Sequence, residues 1–275
     1  MEESSGLEHG SMMVGDEATL GTGARLLKLL QCVVEAEREF TLKDIAARLG
    51  LPPSTTHRLL QLFVRNDIIE RLDPQGYRLG RELFRLGALI VEKFDVQRIA
   101  RPFLEELRAE WEETASLCLY MPATRTSMVV ETVRTAHPLQ YVIEPLSHLP
   151  LAWGSLGRAI LAHLPPADID KVITELRPGP ISGKPPPTRT RLKEELQRVK
   201  RQGFAVYEDR TAPDIAGIAA PVFGHDGKIL GSVGVTMPGP RFELIAKDRL
   251  AGSVAHQARE ISAALGFSAQ GAGRR

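Results

Sequence analysis

From Ala24 to Val34 the apolar residues Leu26, Leu29, Leu30, Val33 and Val34 recur at helical spacing beside Arg25, Lys28 and Gln31, which predicts an amphipathic helix. A second, shorter one follows. Thr41 reads as its N-cap with Asp44 as capping partner, Phe40 is placed to staple against Ile45, and Leu42, Ile45, Ala46 and Leu49 form its apolar face. Gly50 ends it where left-handed backbone is wanted. The third helix opens on Pro52-Pro53, since proline has no N–H to leave unpaired in a first turn, and runs to Phe63. Its Thr56, Leu59, Leu60 and Phe63 can face inward, which turns Ser54, Thr55, His57, Arg58 and Gln61 outward. Two strand-like runs, Ile68 to Leu72 and Tyr77 to Leu79, flank Asp73-Pro74-Gln75-Gly76, whose residues suit a type I turn. Two short helices joined by a tight Gly-Leu-Pro turn and followed by a hairpin predict a winged helix-turn-helix.

Farther along, Leu83, Leu86, Gly87, Ile90 and Phe94 share one helical face, and Ile99, Phe103, Leu107 and Trp111 repeat at four-residue spacing in the next segment. Strands are then expected at Leu117 to Met121, Met128 to Val133 and Leu139 to Ile143, before a helix near Gly154 to His163. Pro178 to Pro187 reads as a loop and Arg191 to Gln202 as a polar amphipathic helix. Ile218 to Phe223 and Lys228 to Thr236 read as a hairpin turned by His225-Asp226-Gly227, and a last helix covers Glu243 to Leu265, with Ile245, Leu250, Val254, Ile261 and Leu265 inward. This is an α+β domain with a mainly antiparallel sheet, so the fold class is two-domain.

Length supports that division: 275 residues exceed one ordinary domain. The boundaries expected are a tail over 1–20, the winged helix-turn-helix over 21–80, a linker helix over 81–95, a second domain over 96–267 and a tail over 268–275. Met1 to Ser11 is polar and rich in Gly and Ser, an expression tag or a frayed tail. A formal net charge of +1 is not that of a general polyanion binder, so any nucleic-acid surface is a local patch. Arg58, Arg65, Arg71, Arg78 and Arg81 supply it against Asp67, Glu70 and Asp73. The hydroxyls of Ser54 and Thr55 and the wing residues Arg71, Tyr77 and Arg78 suit phosphates or the minor groove, whereas His57, Arg58 and Gln61 suit base edges.

Catalytic chemistry finds little support. Asp209 and Asp214 have no His placed with them, Ser155 lacks a nucleophile-elbow context, and the histidines lack metal-ligand spacing. No cofactor or metal is expected. Cys32 and Cys118 lie in apolar stretches and read as buried small hydrophobes. Without a signal-like or membrane-spanning apolar run, a cytoplasmic protein with no membrane role is expected.

The run LKDIAARLGLPPSTTHRLLQLFVRNDII followed by YRLG resembles the DNA-binding head of the IclR family of bacterial transcriptional regulators. Pro53 departs from a more usual basic residue there, removing one expected phosphate contact. The resemblance extends through LPLAWGSLGRAILAHLP and RQGFAVYEDRTAPDIAGIAAPVFGHDGKILGSVGVT, covering residues from about 23 to 266. It implies a GAF-like domain that binds a small effector, a linker helix that packs on its partner subunit, and a homodimer or homotetramer on double-stranded operator DNA, acting as repressor of a catabolic operon. Carried over by position, the effector pocket falls on Trp153, Ser155, Leu156, Tyr207, Gly217, Gly234 and Thr236, with Gly157 at a helix start suited to a carboxylate. The chain has Tyr207 where relatives usually have Asp, Arg210 where they have Glu, and Gly217 at a position commonly Cys or Ser. Trp153, Leu156 and Tyr207 would then make a larger, aromatic pocket for an aromatic or medium-sized effector, including a carboxylate; the competing reading is that these rings fill the core. An enzyme with a winged-helix interaction module and a ligand-independent DNA-binding protein are the alternatives.

Overall fold

The computed structural model describes residues 21–72, 76–93, 95–141, 143, 145–180, 182–210 and 214–268, with the side chains of 90–93 and 95 left aside. The expected tails, the Asp73-Pro74-Gln75 tip and the Ile90 and Phe94 positions of the linker face lie outside what is described. The chain divides into two compact units, Met1–Lys93 and Phe94–Arg275.

In the first unit, α1 (Thr22–Val34), α2 (Leu42–Leu49) and α3 (Pro53–Arg65) precede an antiparallel hairpin, β1 (Ile69–Leu72) and β2 (Gly76–Leu79), and then α4 (Arg81–Lys93). The capping box at α2 closes as expected: Thr41 Oγ1 accepts the Asp44 N–H at 3.3 Å and Asp44 Oδ2 accepts the Thr41 N–H at 2.8 Å. Gly50 ends the helix at φ 61°. In α3 the inward Thr56 returns its hydroxyl to Pro52 O at 3.2 Å, so its own oxygen is not stranded in the core. Leu29, Ile45, Leu60 and Ile69 are almost wholly buried in one cluster with Phe40 and Tyr77. Phe40 and Tyr77 exchange backbone hydrogen bonds of 3.0 and 2.8 Å and their rings stack at 6.1 Å, which docks the wing against the segment before α2.

The second unit is built on a six-stranded antiparallel sheet of order β5-β4-β3-β8-β7-β6. In chain order it holds α5 (Asp95–Trp111), β3 (Thr114–Met121), β4 (Thr126–Val133), β5 (His148–Pro150), α6 (Gly154–Leu161), α7 (Pro166–Thr174) and α8 (Arg189–Gln202). Then follow β6 (Ala205–Asp209), β7 (Ile215–Phe223), β8 (Ile229–Pro238), α9 (Gly239–Phe242) and α10 (Lys247–Ala264). One face packs Leu117, Ile218, Val233 and Val235 against Leu104 and Leu107 of α5 and Val254 and Ile261 of α10. The opposite face packs Cys118, Val129, Ala205 and Ala219 against Leu156, Ile160, Leu192 and Leu196 of α6 and α8.

Several expectations are corrected here. The described residues of 139–143 form no strand; β5 at His148–Pro150 takes the edge beside β4 instead. The buried stripe of α5 is Ala100, Leu104 and Leu107, with Phe103 and Trp111 only partly covered, so the four-residue spacing from Ile99 names a neighbouring stripe. Helix α7 and edge strand β6 were not expected, and the last helix begins at Lys247 after the short α9. Gly157 is the fourth residue of α6, inside the helix rather than at its open start. A Cβ there would lie 2.7 Å from Leu151 O, so this glycine serves close packing. Among the described residues, no helix is long and apolar enough to cross a membrane.

Candidate functional site

On α3, burial of Thr56, Leu59, Leu60 and Phe63 leaves Ser54, His57 and Arg58 exposed and Thr55 and Gln61 half-buried. Ser54, Arg58, Gln61 and Arg65 follow one another at spacings of four and three, which places them on one outward ridge. Gln61 Nε2 lies 3.4 Å from His57 Nε2, which steadies both on that ridge. Arg58 and Arg65 have no side-chain partner among the described residues, so both guanidinium groups are available to an incoming phosphate or base. Arg65, expected in the basic patch, lies on this ridge, whereas the 44 % exposed Leu62 beside Arg58 was not chosen from sequence as a site residue; helical projection around Arg58 was the signal for it.

The wing differs more. Tyr77 is 6 % exposed and stacked on Phe40, so its ring belongs to the core and not to a DNA surface. Arg78 is held by Glu70 Oε2 through Nε at 3.0 Å and Nη2 at 2.8 Å, and Arg81 approaches the same carboxylate at 3.6 Å. An arginine already neutralised gives less to a phosphate. Arg71 is exposed and carries no such pair among the described residues.

In the second unit, strand alternation sets the candidate ligand site. Along β3, Ala115 and Leu117 point to the α5/α10 core, which turns Thr114 and Ser116 to the other face. Register then lines them up with Thr132 of β4 and with Gly234 and Thr236 of β8, while Thr236 pairs with Gly217 of β7 and Gly217 with Tyr207 of β6. Four of the expected residues, Tyr207, Gly217, Gly234 and Thr236, thus share one sheet face. Ser155 joins them: a Cβ on Gly217 would sit 3.1 Å from Ser155 Oγ and 2.6 Å from Val235 O, so only glycine admits the helix this close.

Beyond the cover of α6 this face opens into a recess lined by Thr114, Ser116, Thr132, Arg134, Tyr141, Ile143 and Thr236. Its volume of about 10 Å³ is that of a single water molecule. Ser116 and Thr132 hydroxyls meet at 3.2 Å, and Thr114 Oγ1 accepts the Thr135 N–H at 3.2 Å. The segment over the recess is held by side chains: Tyr141 O–H donates to Asp214 O at 2.7 Å, and Arg241 donates to Leu139 O at 3.0 Å while paired with the buried Glu113. Of the residues chosen from sequence only Thr236 lines this recess. Thr114 and Ser116 were legible in principle, since they alternate with Ala115 and Leu117 in a strand buried on both sides.

The aromatic pocket expected from Trp153, Leu156 and Tyr207 is not formed. Trp153 Nε1–H donates to Arg177 O at 3.2 Å, and its ring lies against Gly179. Leu156 is in the core, its carbonyl accepting the Ser232 hydroxyl at 2.9 Å. The Tyr207 ring lies under Arg158 at 4.9 Å, and its O–H donates to Asp209 Oδ2 at 3.3 Å. Burial, then the negative charge of Asp209, pushes the Tyr207 phenol up to about 12. Arg158 reaches Glu195 at 2.7 Å, and Lys184 reaches the buried Asp209 at 2.5 Å, so the Tyr207 ring belongs to a closed structural network. Arg210 pairs with Glu208 at 3.1 Å and with Glu243. Among the described residues, no cluster of His, Cys, Asp or Glu could hold a metal ion.

A helix-turn-helix with a docked wing, joined to an α+β unit with a polar recess in its sheet, defines a DNA-binding regulator with an effector-binding domain. The chain belongs to the IclR family of bacterial transcriptional regulators: residues 24–73 match the IclR helix-turn-helix domain and residues 88–263 match the bacterial transcriptional regulator IclR C-terminal domain. Its relatives are regulators and not enzymes. The HTH-type transcriptional regulator BhcR of Paracoccus denitrificans is 26 % identical over 92 % of this chain and 90 % of that protein. The transcriptional repressor IclR of Escherichia coli is 23 % identical over 88 % of this chain and 89 % of its own. An IclR homolog from Microbacterium hydrocarbonoxydans, solved in complex with 4-hydroxybenzoate, shares the fold with a TM-score of 0.71 at 22 % identity, covering 88 % of this chain and 98 % of that one.

Proposed function

We propose that this regulator is a repressor that binds operator DNA as a homo-oligomer, a dimer or a tetramer, through the outward ridge of α3. In this reading Arg58, His57 and Gln61 meet base edges, Ser54, Thr55 and Arg71 hold phosphates, and Arg78 contributes only when it leaves Glu70. The observation that carries it is Arg58, exposed on the polar ridge of a helix whose opposite face is buried, with no partner of its own among the described residues. Arg58→Ala is expected to cost about 1–3 kcal/mol on the specific operator. Footprinting upstream of its own coding region locates that operator, and titration of the variant on operator and on random DNA makes the comparison. Equal loss on both would reduce Arg58 to a phosphate contact.

The effector is a small organic acid or aromatic metabolite received on the polar sheet face around Ser116, Gly217 and Thr236. Two facts support this: hydroxyls gathered on one face of a buried sheet, and the 4-hydroxybenzoate bound by the Microbacterium homolog. The sheet with helices on both faces is also consistent with a GAF-like description. Such an effector changes DNA affinity only by its differential affinity for two states of the protein. Oligomerisation rests on α4, whose Phe84 is 81 % exposed and Leu86 37 % exposed, apolar surface that a partner subunit would cover.

A further inference from the structure

We infer that Glu70 sets the DNA affinity of the head without touching DNA: its carboxylate holds the guanidinium groups of Arg78 and Arg81 and so withholds their charge from phosphates beside the wing. It rests on reading the head as binding DNA through α3 and the wing, and adds the residue that attenuates that binding.

Strand alternation places the acid. Ile69 and Tyr77 turn into the core of the first unit, so their neighbours Glu70 and Arg78 turn to the outer face of the hairpin. Register makes these two direct partners across the ladder. Arg78 donates through Nε at 3.0 Å and Nη2 at 2.8 Å to the single oxygen Oε2, which leaves Oε1 to face Arg81 at 3.6 Å. One carboxylate thereby serves two arginines, one from the wing and one from the first position of α4. The acid is the sheltered member, its side chain 29 % exposed against 94 % for Arg81.

Backbone contacts build this meeting into the fold. The Gly80 N–H donates to Ile68 O at 2.8 Å and the Glu82 N–H to Asp67 O at 3.1 Å, so the start of α4 is tied to the residues before β1 on either side of Arg81. A Cβ at position 80 would lie 2.1 Å from Asp67 O, so only glycine lets the helix begin this close. The cleft between wing and helix, about 460 Å³, is lined by Asp67, Glu70, Arg81, Glu82 and Arg85. Within it Glu82 is already engaged with Arg85 at 2.7 Å, which leaves Glu70 as the partner of Arg78 and Arg81.

The consequence is electrostatic. Even if Arg78 swings to a phosphate, the Glu70 carboxylate stays behind on the same face, so the three groups offer the duplex one net positive charge in place of two. Affinity and its salt dependence both follow the number of phosphates neutralised, so Glu70 lowers both. Phosphates carry no sequence, and the attenuation therefore falls on operator and random DNA alike.

The test titrates the full chain on operator and on random duplex at salt concentrations between about 50 and 200 mM. Glu70→Gln keeps the shape and removes the charge. It should bind both duplexes roughly threefold to tenfold more tightly at the lower salt, and steepen the slope of log K against log salt by about 1–2 per head. Adding Arg78→Ala and Arg81→Ala to it should abolish the gain. In the wild-type background Arg78→Ala should cost much less than Arg71→Ala, which removes a wing arginine with no ion pair among the described residues. Glu82→Gln deletes the same charge from the same cleft but frees only Arg85, so it should give a small part of the gain at most. Equal gains from Glu70→Gln and Glu82→Gln would reduce the effect to net charge and overturn the proposal. No gain from Glu70→Gln at a wild-type melting temperature would overturn it too, as would a gain confined to the operator, which would make the freed arginines base readers. Should Glu70→Gln fail to fold, equal losses in Arg78→Ala and Arg71→Ala would be the overturning result. A wild type that binds neither duplex would remove the reading of the head itself, whereas loss in Arg58→Ala without gain in Glu70→Gln keeps that reading and removes only the role of Glu70.

Discussion

At Tyr207 a single phenol records how the second unit was closed. Its ring sits under Arg158 and its hydroxyl leans on Asp209, whose carboxylate is in turn held by Lys184. Burial and that carboxylate push the phenol up to about 12, whereas in the unfolded chain a tyrosine ionises near roughly 10. Because the folded value is the raised one, the stabilisation is whole below about pH 10 and is lost as pH climbs toward about 12, where only the unfolded chain gains from ionising. The slope from this one group can reach about 1.4 kcal/mol per pH unit. Urea melts of wild type and Tyr207→Phe between pH 9 and 11.5 should therefore converge as pH rises, the variant losing less. Parallel curves would mean that Tyr207 ionises as freely in the fold as outside it. The same residue shows what a sequence hides: that position 207 is aromatic is plain, but whether the ring faces a ligand or an arginine depends on Arg158, distant along the chain.

Among elements, the wing depends on a residue that looked like part of its DNA surface. Tyr77 fills the first unit's core beside Phe40 and exchanges two backbone hydrogen bonds with it. Tyr77→Ala should destabilise this unit by about 3–5 kcal/mol, the range for emptying a buried aromatic site. Tyr77→Phe should leave both the melting temperature and operator affinity near wild type. A loss of DNA affinity in Tyr77→Phe at unchanged stability would show instead that the hydroxyl meets DNA. Elements fixed by neighbouring residues were legible: the Thr41–Asp44 box, the Gly50 stop and the inward face of α3 are all decided within a few positions. Elements fixed by distant partners were not. Leu139, Tyr141 and Ile143 alternate like a strand, yet the segment is held by Tyr141 to Asp214 O and by Arg241 to Leu139 O, side-chain tethers that no period reveals. Helix α7 opens on Pro166, where the missing N–H costs nothing, so the prolines after the expected helix to His163 begin an element of their own. Strand β6 is short and half polar, an edge strand recognisable only once β7 lies beside it. The recess lies between these cases: Thr114 and Ser116 gave an alternation signal, whereas Arg134 and Tyr141 become lining residues only through the path of the segment after β4.

For the whole molecule, the weak point is charge. A formal net charge of +1, with Arg78 and Arg81 drawn to Glu70 and with Tyr77 taken into the core, leaves Arg58, Arg65 and Arg71 as the available cations of the patch on α3 and the wing, among the described residues. So few phosphate contacts give weak, strongly salt-dependent binding, and a second head tethered to the first is the physical remedy. Dimerisation through the exposed face of α4 would supply it, and would require two half-sites about 34–36 Å apart, one turn of the duplex, or a multiple of that spacing. DNA carrying both half-sites should bind roughly 10²–10⁴-fold more tightly than DNA carrying one, since the second contact is intramolecular. Phe84→Asp places a charge on the surface that a partner would bury, so it should lower the mass seen by sedimentation and erase that advantage together. If the variant keeps its mass, or if wild type binds one half-site as tightly as two, the head reads DNA alone. Its specificity would then have to come from Arg58, Gln61 and Arg65 on a single ridge, too few contacts for the usual gap of at least about 10³-fold between specific and non-specific sites.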